Sequence, residues 1–118
     1  MKVIYLAHPV SGDVQNNLAK AKRWVKWATE SHPDVAVVAS WITECEVFND
    51  AEPDQREKAL QRDCAVLAKC DEVWLVGGVV SAGMRREKNH ATRKGVYVRD
   101  LTSLGSEPPG DGKSTWNN

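Results

Sequence analysis

Asp63 stands where an apolar residue is expected. Pro53-Asp54 opens a helical segment in which Leu60, Cys64 and Leu67 form one stripe, and Asp63 falls within it. A carboxylate on such a face is costly to bury unless it is paired or used. The plainer alternative is an Asp at the stripe's edge, capped or salt-bridged to Arg62 or Arg56. Glu87 raises the same question further along. Together with Met84, Ala91 and Lys94 it lies roughly on one face of a segment that starts at Ser81, so it sits on or beside a buried stripe. Two carboxylates near one ligand suit glycosidic chemistry. One attacks or stabilises the cationic sugar carbon while the other handles the leaving-group proton. Tyr5, at the end of the first apolar run, is placed either to orient them or to fill the core.

The run Gly77-Gly78-Val79-Val80-Ser81-Ala82-Gly83-Met84 leads into the Glu87 segment. Its glycines allow a ligand close to the backbone, and free N–H groups at a helix start favour an anion. Arg85 and Arg86 lie in the first turn, where cations oppose the helix dipole. They either serve a phosphate or form a surface pair facing solvent. The loop matches neither a Walker nor a GxGxxG pattern. Trp41 follows the second apolar run and is either a stacking platform for a base or a packing residue, whereas Trp24 and Trp27 read as core or interface.

These residues need elements to hold them. Val3-Ile4-Tyr5-Leu6-Ala7 is a continuous apolar run that stops at His8-Pro9-Val10-Ser11-Gly12-Asp13, the pattern of a strand buried on both faces. Val14, Leu18, Ala21, Val25 and Ala28 then recur at helical spacing, with Asp13 or Ser11 as cap and His32-Pro33-Asp34 as the stop. Val35 to Ala39 is a second strand, and Ser40 to Glu52 reads as a loop. The Asp63 helix follows, then a third strand at Val73-Trp74-Leu75-Val76. The Glu87 helix runs to about Lys94, with Gly95 as its stop. Val96-Tyr97-Val98 is the fourth strand. The alternation β-α-β-α-β-α-β predicts an α/β, doubly wound, flavodoxin- or Rossmann-like domain. Its four-stranded parallel sheet has the order 2-1-3-4, with helices on both faces. Ligands in such sheets sit beyond the carboxyl ends of the strands where the order reverses, here the loops His8 to Asp13 and Gly77 to Gly83.

The chain has 118 residues, 42% apolar and 27% charged, enough for one domain. Residues 1–102 read as that domain and 103–118 as a polar tail rich in Gly, Pro, Ser and Asn, either disordered or laid across a partner subunit. Lys+Arg and Asp+Glu number 16 each, which argues against a polymeric nucleic acid as partner, since such binders carry surplus basic charge. A single nucleotide stays open. The apolar run after Lys2 is short for a signal peptide, and no run approaches a membrane span. Cys45, Cys64 and Cys70 form no CxxC pair and read as reduced thiols, so a cytoplasmic setting without membrane contact is expected.

The pattern resembles the nucleoside 2-deoxyribosyltransferase family and the related deoxyribonucleoside 5′-monophosphate N-glycosidases. It also looks like the short deoxyribosyltransferase-like proteins common in phages and bacteria. The resemblance rests on Ile4 to Gly12, on Arg62-Asp63, on Cys70 to Val76, and on Ser81-Ala82-Gly83-Met84-Arg85-Arg86-Glu87 with Ala91 and Gly95 after it. It covers about residues 3 to 100. It implies that Glu87 is the nucleophile at the anomeric carbon, that Asp63 assists at the base and that Tyr5 orients Glu87. It also implies that Ser81 and Gly83 contact phosphate, that His8, Pro9, Val10, Ser11 and Gly12 wrap sugar and phosphate, and that the protein is at least a dimer. Gly77, Gly78, Met84 and Trp41 complete the expected substrate site. Two departures stand out. The glycosidase loop reads Gly-Ser-hydrophobic-Arg where this chain has His8-Pro9-Val10-Ser11, so His8 either replaces the missing charge or is a loop residue. The family usually has a glycine after the nucleophile where this chain has Lys88-Asn89-His90.

The expected function is cleavage or transfer of the N-glycosidic bond of a (deoxy)ribonucleoside or its 5′-monophosphate, without metal or redox cofactor. The alternatives are a binding module that sequesters a nucleotide without turning it over, and hydrolysis of a nicotinamide N-glycoside such as NAD.

Overall fold

The structure is a computed structural model that describes residues 1–48 and 52–110. Strand β1 (Lys2–Ala7) is its centre: Ile4, Tyr5, Leu6 and Ala7 are all buried, as the unbroken apolar run requires of a strand covered on both faces. β2 (Val35–Val38) pairs with β1 on one side, and β3 (Glu72–Leu75) pairs with it on the other. β4 (Tyr97–Asp100) completes the order β2-β1-β3-β4, with every pairing parallel. The fold is therefore the doubly wound α/β sheet that the alternation predicts. Its order reverses between β1 and β3, whose carboxyl ends lie side by side with Ala7 opposite Leu75.

Alternating residues of the central strands feed two cores. Tyr5, Ala7, Val73 and Leu75 point to one face. There they pack with Leu67 of α3 (Pro53–Leu67) and with Met84 and Ala91 of α4 (Ala82–Arg93). Ile4, Leu6, Trp74 and Val76 point to the other, onto Trp24, Trp27 and Ala28 of α1 (Val14–Ser31). Trp24 and Trp27 are thus core residues. The Asp13 side chain caps α1 by accepting from the Asn16 N–H at 3.3 Å, so Asp13 and not Ser11 is the cap.

Two segments depart from the sequence reading. Ser40 to Glu52 is not all loop: Ser40–Val47 is a helix, α2, anchored by buried Trp41 and Ile42. The element order is accordingly β-α-β-α-α-β-α-β. The tail also starts as ordered chain. Leu101 and Leu104 pack against the Trp24–Trp27 core around a 3-10 turn at Thr102–Leu104. The Trp24 indole N–H donates to the Ser106 carbonyl at 3.1 Å, and Arg23 pairs with both oxygens of Glu107 at 2.9 Å. A buried indole N–H needs an acceptor, and this segment supplies it. Residues 111–118 of the expected tail lie outside the described residues. Among the described residues, no helix is long and apolar enough to cross a membrane.

Candidate functional site

β1 and α4 bring the two most distant predicted residues together. Tyr5 has no exposed surface, and its hydroxyl donates to Glu87 Oε2 at 2.6 Å. Glu87 holds its place because Met84, Glu87 and Ala91 are the buried face of α4. Ser81 sets where that helix begins. Its hydroxyl accepts the Met84 N–H at 3.2 Å, and its own N–H turns to Met84 Sδ at 3.5 Å. The Ser81 hydroxyl is therefore engaged as a helix cap.

Asp63 reaches the same place from α3, whose buried face is Asp63, Cys64 and Leu67. Asp63 and Glu87 are each 7% exposed. Burial pushes the Glu87 carboxyl up to about 7, and the Tyr5 hydroxyl holds it from rising further. Asp63 is pushed higher, to about 9: burial acts first, then a hydrogen bond with Glu44, then the charges of Glu87 and Glu44. Arg62 opposes the rise and does not cancel it. Two neighbouring carboxyls thus prefer different protonation states near neutral pH, the arrangement that separates an acid from a base or nucleophile.

Both line one cavity of about 660 Å³ beyond the carboxyl ends of β1 and β3. Of the other predicted residues, His8, Val10, Ser11, Gly12, Trp41, Ser81, Gly83 and Met84 also line it. The first loop is pinned from α1, where the Asn17 amide donates to the carbonyls of Val10 at 3.0 Å and Ser11 at 3.2 Å. Tyr5 stands behind Glu87, outside the lining.

Pro9, Gly77 and Gly78 do not line the cavity. Gly77 has φ +107°, and a Cβ there would lie 2.7 Å from His8 Cδ2 and 2.8 Å from Pro9 Cδ. Gly78 has φ +87°, and a Cβ there would lie 3.0 Å from Ser106 N. Both glycines let this loop pack closely on its own chain. Trp41 packs against β1 and also reaches the cavity. Its indole N–H donates to the Leu6 carbonyl at 2.8 Å and it is 5% exposed, so it is a packing residue whose ring forms part of the wall. His8 is buried beside its 2.7 Å contact with the Pro9 carbonyl, and burial lowers its pKa. That shift disfavours the charged form that would replace the missing cation. Arg86 is bound by both nitrogens to Glu57, and Arg85 is exposed.

The sequence reading missed the wall supplied by α2 and by the start of α3. Glu44, Cys45 and Phe48 line the cavity with Trp41, and Arg56, Ala59 and Leu60 face them from α3. A signal was present. Trp41, Glu44, Cys45 and Phe48 recur at i, i+3, i+4 and i+7, a helical stripe that carries a carboxylate as the Asp63 stripe does. Glu44 Oε2 accepts from Arg62 Nε at 2.6 Å, and the Arg62 guanidinium lies over the Phe48 ring at 5.7 Å. Arg56 reaches Ser11 Oγ at 3.4 Å, which brings a cation to the first loop from a different element.

No curated protein matches the chain. Residues 2–101 match a family described as a domain of unknown function, DUF7768. The match takes in β1 through β4, both loops at the switch point and all three of Tyr5, Asp63 and Glu87. The chain belongs to the DUF7768 family.

Proposed function

We propose that this protein breaks the N-glycosidic bond of a (deoxy)ribonucleoside or nucleoside 5′-monophosphate by covalent catalysis. The observation that carries the reading is the 2.6 Å hydrogen bond from Tyr5 to Glu87 Oε2 beside the cavity that Asp63 also lines. With Oε2 held by the hydroxyl, Glu87 Oε1 is the oxygen left to attack C1′. As the Glu87 O–C1′ bond forms, the C1′–N bond breaks and its electron pair passes into the base. Asp63, protonated because burial and its acidic neighbours disfavour its charge, gives its proton to the departing base. Water or a second base then attacks C1′ of the ester, the Glu87 carboxylate leaves, and the incoming group's proton returns to Asp63. Every step uses side chains of this chain. Arg56 and Ser11, at the first loop, are placed to meet an anionic substituent such as a 5′-phosphate. A cytoplasmic homo-oligomer belongs to the same reading.

The test is release of free base. Incubation with a panel of nucleosides and 5′-monophosphates, followed by chromatography, is expected to show base from at least one of them. Glu87→Gln is expected to abolish it. Undiminished release by Glu87→Gln contradicts the mechanism.

A further inference from the structure

Glu44 and Asp63 face the cavity as a pair, and the pair has an unusual hydrogen-bond inventory. Asp63 Oδ1 and Glu44 Oε1 are both buried, and among the described residues no N–H or O–H donor reaches either. Both side chains line the cavity, and each leaves that oxygen unpartnered there. An ionised carboxylate only accepts, whereas a protonated carboxyl also donates. Glu44 Oε2 is ion-paired to Arg62 at 2.6 Å, which leaves Oε1 as its acceptor at the cavity. Asp63 is the carboxyl that burial, together with its acidic neighbours, holds protonated near neutral pH. The pair presents one donor beside one acceptor to whatever enters the cavity.

A purine that leaves C1′ through N9 takes up its proton at N7, the other imidazole nitrogen. The substituent on C6 lies beside N7 on the same edge. In a 6-aminopurine that edge reads acceptor then donor, and in a 6-oxopurine it reads acceptor then acceptor. With Asp63 donating to N7, Glu44 meets either an amino group it can accept from or a carbonyl oxygen it repels. We propose that Glu44 selects 6-aminopurine over 6-oxopurine nucleosides in this cavity, an inference that rests on the N-glycoside reading above. Glu44 acts here as a specificity determinant fixed by Arg62.

The test compares adenine with hypoxanthine in two readouts on the full chain. Calorimetry measures binding of the free bases, and chromatography measures cleavage of deoxyadenosine and deoxyinosine. Adenine is expected to bind, and deoxyadenosine to be cleaved, at least about tenfold better than the oxo counterparts, because a mismatched buried polar group is strongly rejected. Glu44→Gln presents an amide N–H to O6 and is expected to narrow or invert that ratio. Equal binding and equal cleavage of the two series by the unaltered chain overturn the proposal, as does an unchanged ratio in folded Glu44→Gln. Preferential binding of adenine with no cleavage of either nucleoside upholds the selection and overturns the N-glycoside reading. No binding and no cleavage overturns both.

Discussion

The Tyr5 hydroxyl donates to Glu87 Oε2 at 2.6 Å, joining the central strand to the helix across 82 residues of chain. The bond is short and lies in a buried setting, where a hydrogen bond to a charged group is strongest. It does two things at once. It fixes which carboxylate oxygen is free, and it partly offsets the cost of burying the charge. Removing it as Tyr5→Phe is expected to move the ionisation of Glu87 further above 7, because the hydroxyl is the group that lowers it. Base release at neutral pH is expected to fall by about tenfold to a hundredfold, with the acidic limb of the rate profile displaced to higher pH. A loss of rate without that displacement would mean that Tyr5 acts on something other than Glu87.

The pH dependence of kcat/KM follows from the two carboxyls. In the proposed mechanism Glu87 must be ionised to attack and Asp63 must be protonated to assist. The rate is expected to rise as pH passes about 7 and to fall again as pH passes about 9. The two limbs belong to the interacting pair as apparent values. Asp63→Asn is expected to delete the alkaline limb and to lower the rate. A profile that stays flat from pH 6 to 10 would contradict both assignments.

Stability should show the same burial with the opposite sign. The ordinary Glu value is 4.5 and the folded value about 7, so between them the folded chain holds a proton that the unfolded chain has released. The Glu87 contribution is fully present below the ordinary value and is lost as pH rises through 7. Glu87→Gln carries no such loss. At pH 8 it is expected to be more stable than the unaltered chain by about 3–4 kcal/mol, at roughly 1.4 kcal/mol per pKa unit. That corresponds to a Tm gain on the order of 10 °C. At pH 4 the gain should nearly vanish. Equal Tm differences at the two pH values would contradict the burial argument.

Gly77 offers a test of the first loop that involves no catalytic group. Gly77→Ala places a Cβ 2.7 Å from the His8 ring at a φ of +107°. A destabilisation of about 2 kcal/mol or more is expected, read from denaturant or thermal unfolding. Gly95→Ala is a fit control, since its φ is +74° with nothing within 4 Å of the added methyl. It should carry the backbone cost without the clash. A smaller loss at Gly77 than at Gly95 would contradict the packing described for the loop.

The sheet was legible because its signals are redundant. The β1 run Ile4 to Ala7 is apolar without a break, and Gly77-Gly78 and Gly95 punctuate the strands and helices around it. Tyr5, Asp63 and Glu87 were legible because two of them are polar residues on apolar stripes. Helix α2 was not, for a physical reason. It has eight residues, its β-branched Ile42, Thr43 and Val47 favour helix weakly, and Glu44 interrupts its apolar face. Burial of Trp41 and Ile42 stabilises it, and tertiary burial does not show in local pattern. The segment after β4 was misread for a related reason. Its polar composition conceals two leucines, and it is the buried Trp24 indole that holds Ser106. The glycines at 77 and 78 were recognised as special, but the close approach they allow is to His8, Pro9 and the 105–106 backbone.

The covalent step at Glu87 is tested most directly by intact-mass and peptide analysis after incubation with a 2-deoxy-2-fluoro nucleoside whose base the chain releases. Fluorine at C2 slows breakdown of the ester more than it prevents its formation when the leaving base is good. The expected result is a mass increase equal to one fluorinated sugar, confined to the peptide that contains Glu87 and absent in Glu87→Gln. Base release by the unaltered chain with no adduct, and the same release by Glu87→Gln, would contradict the account.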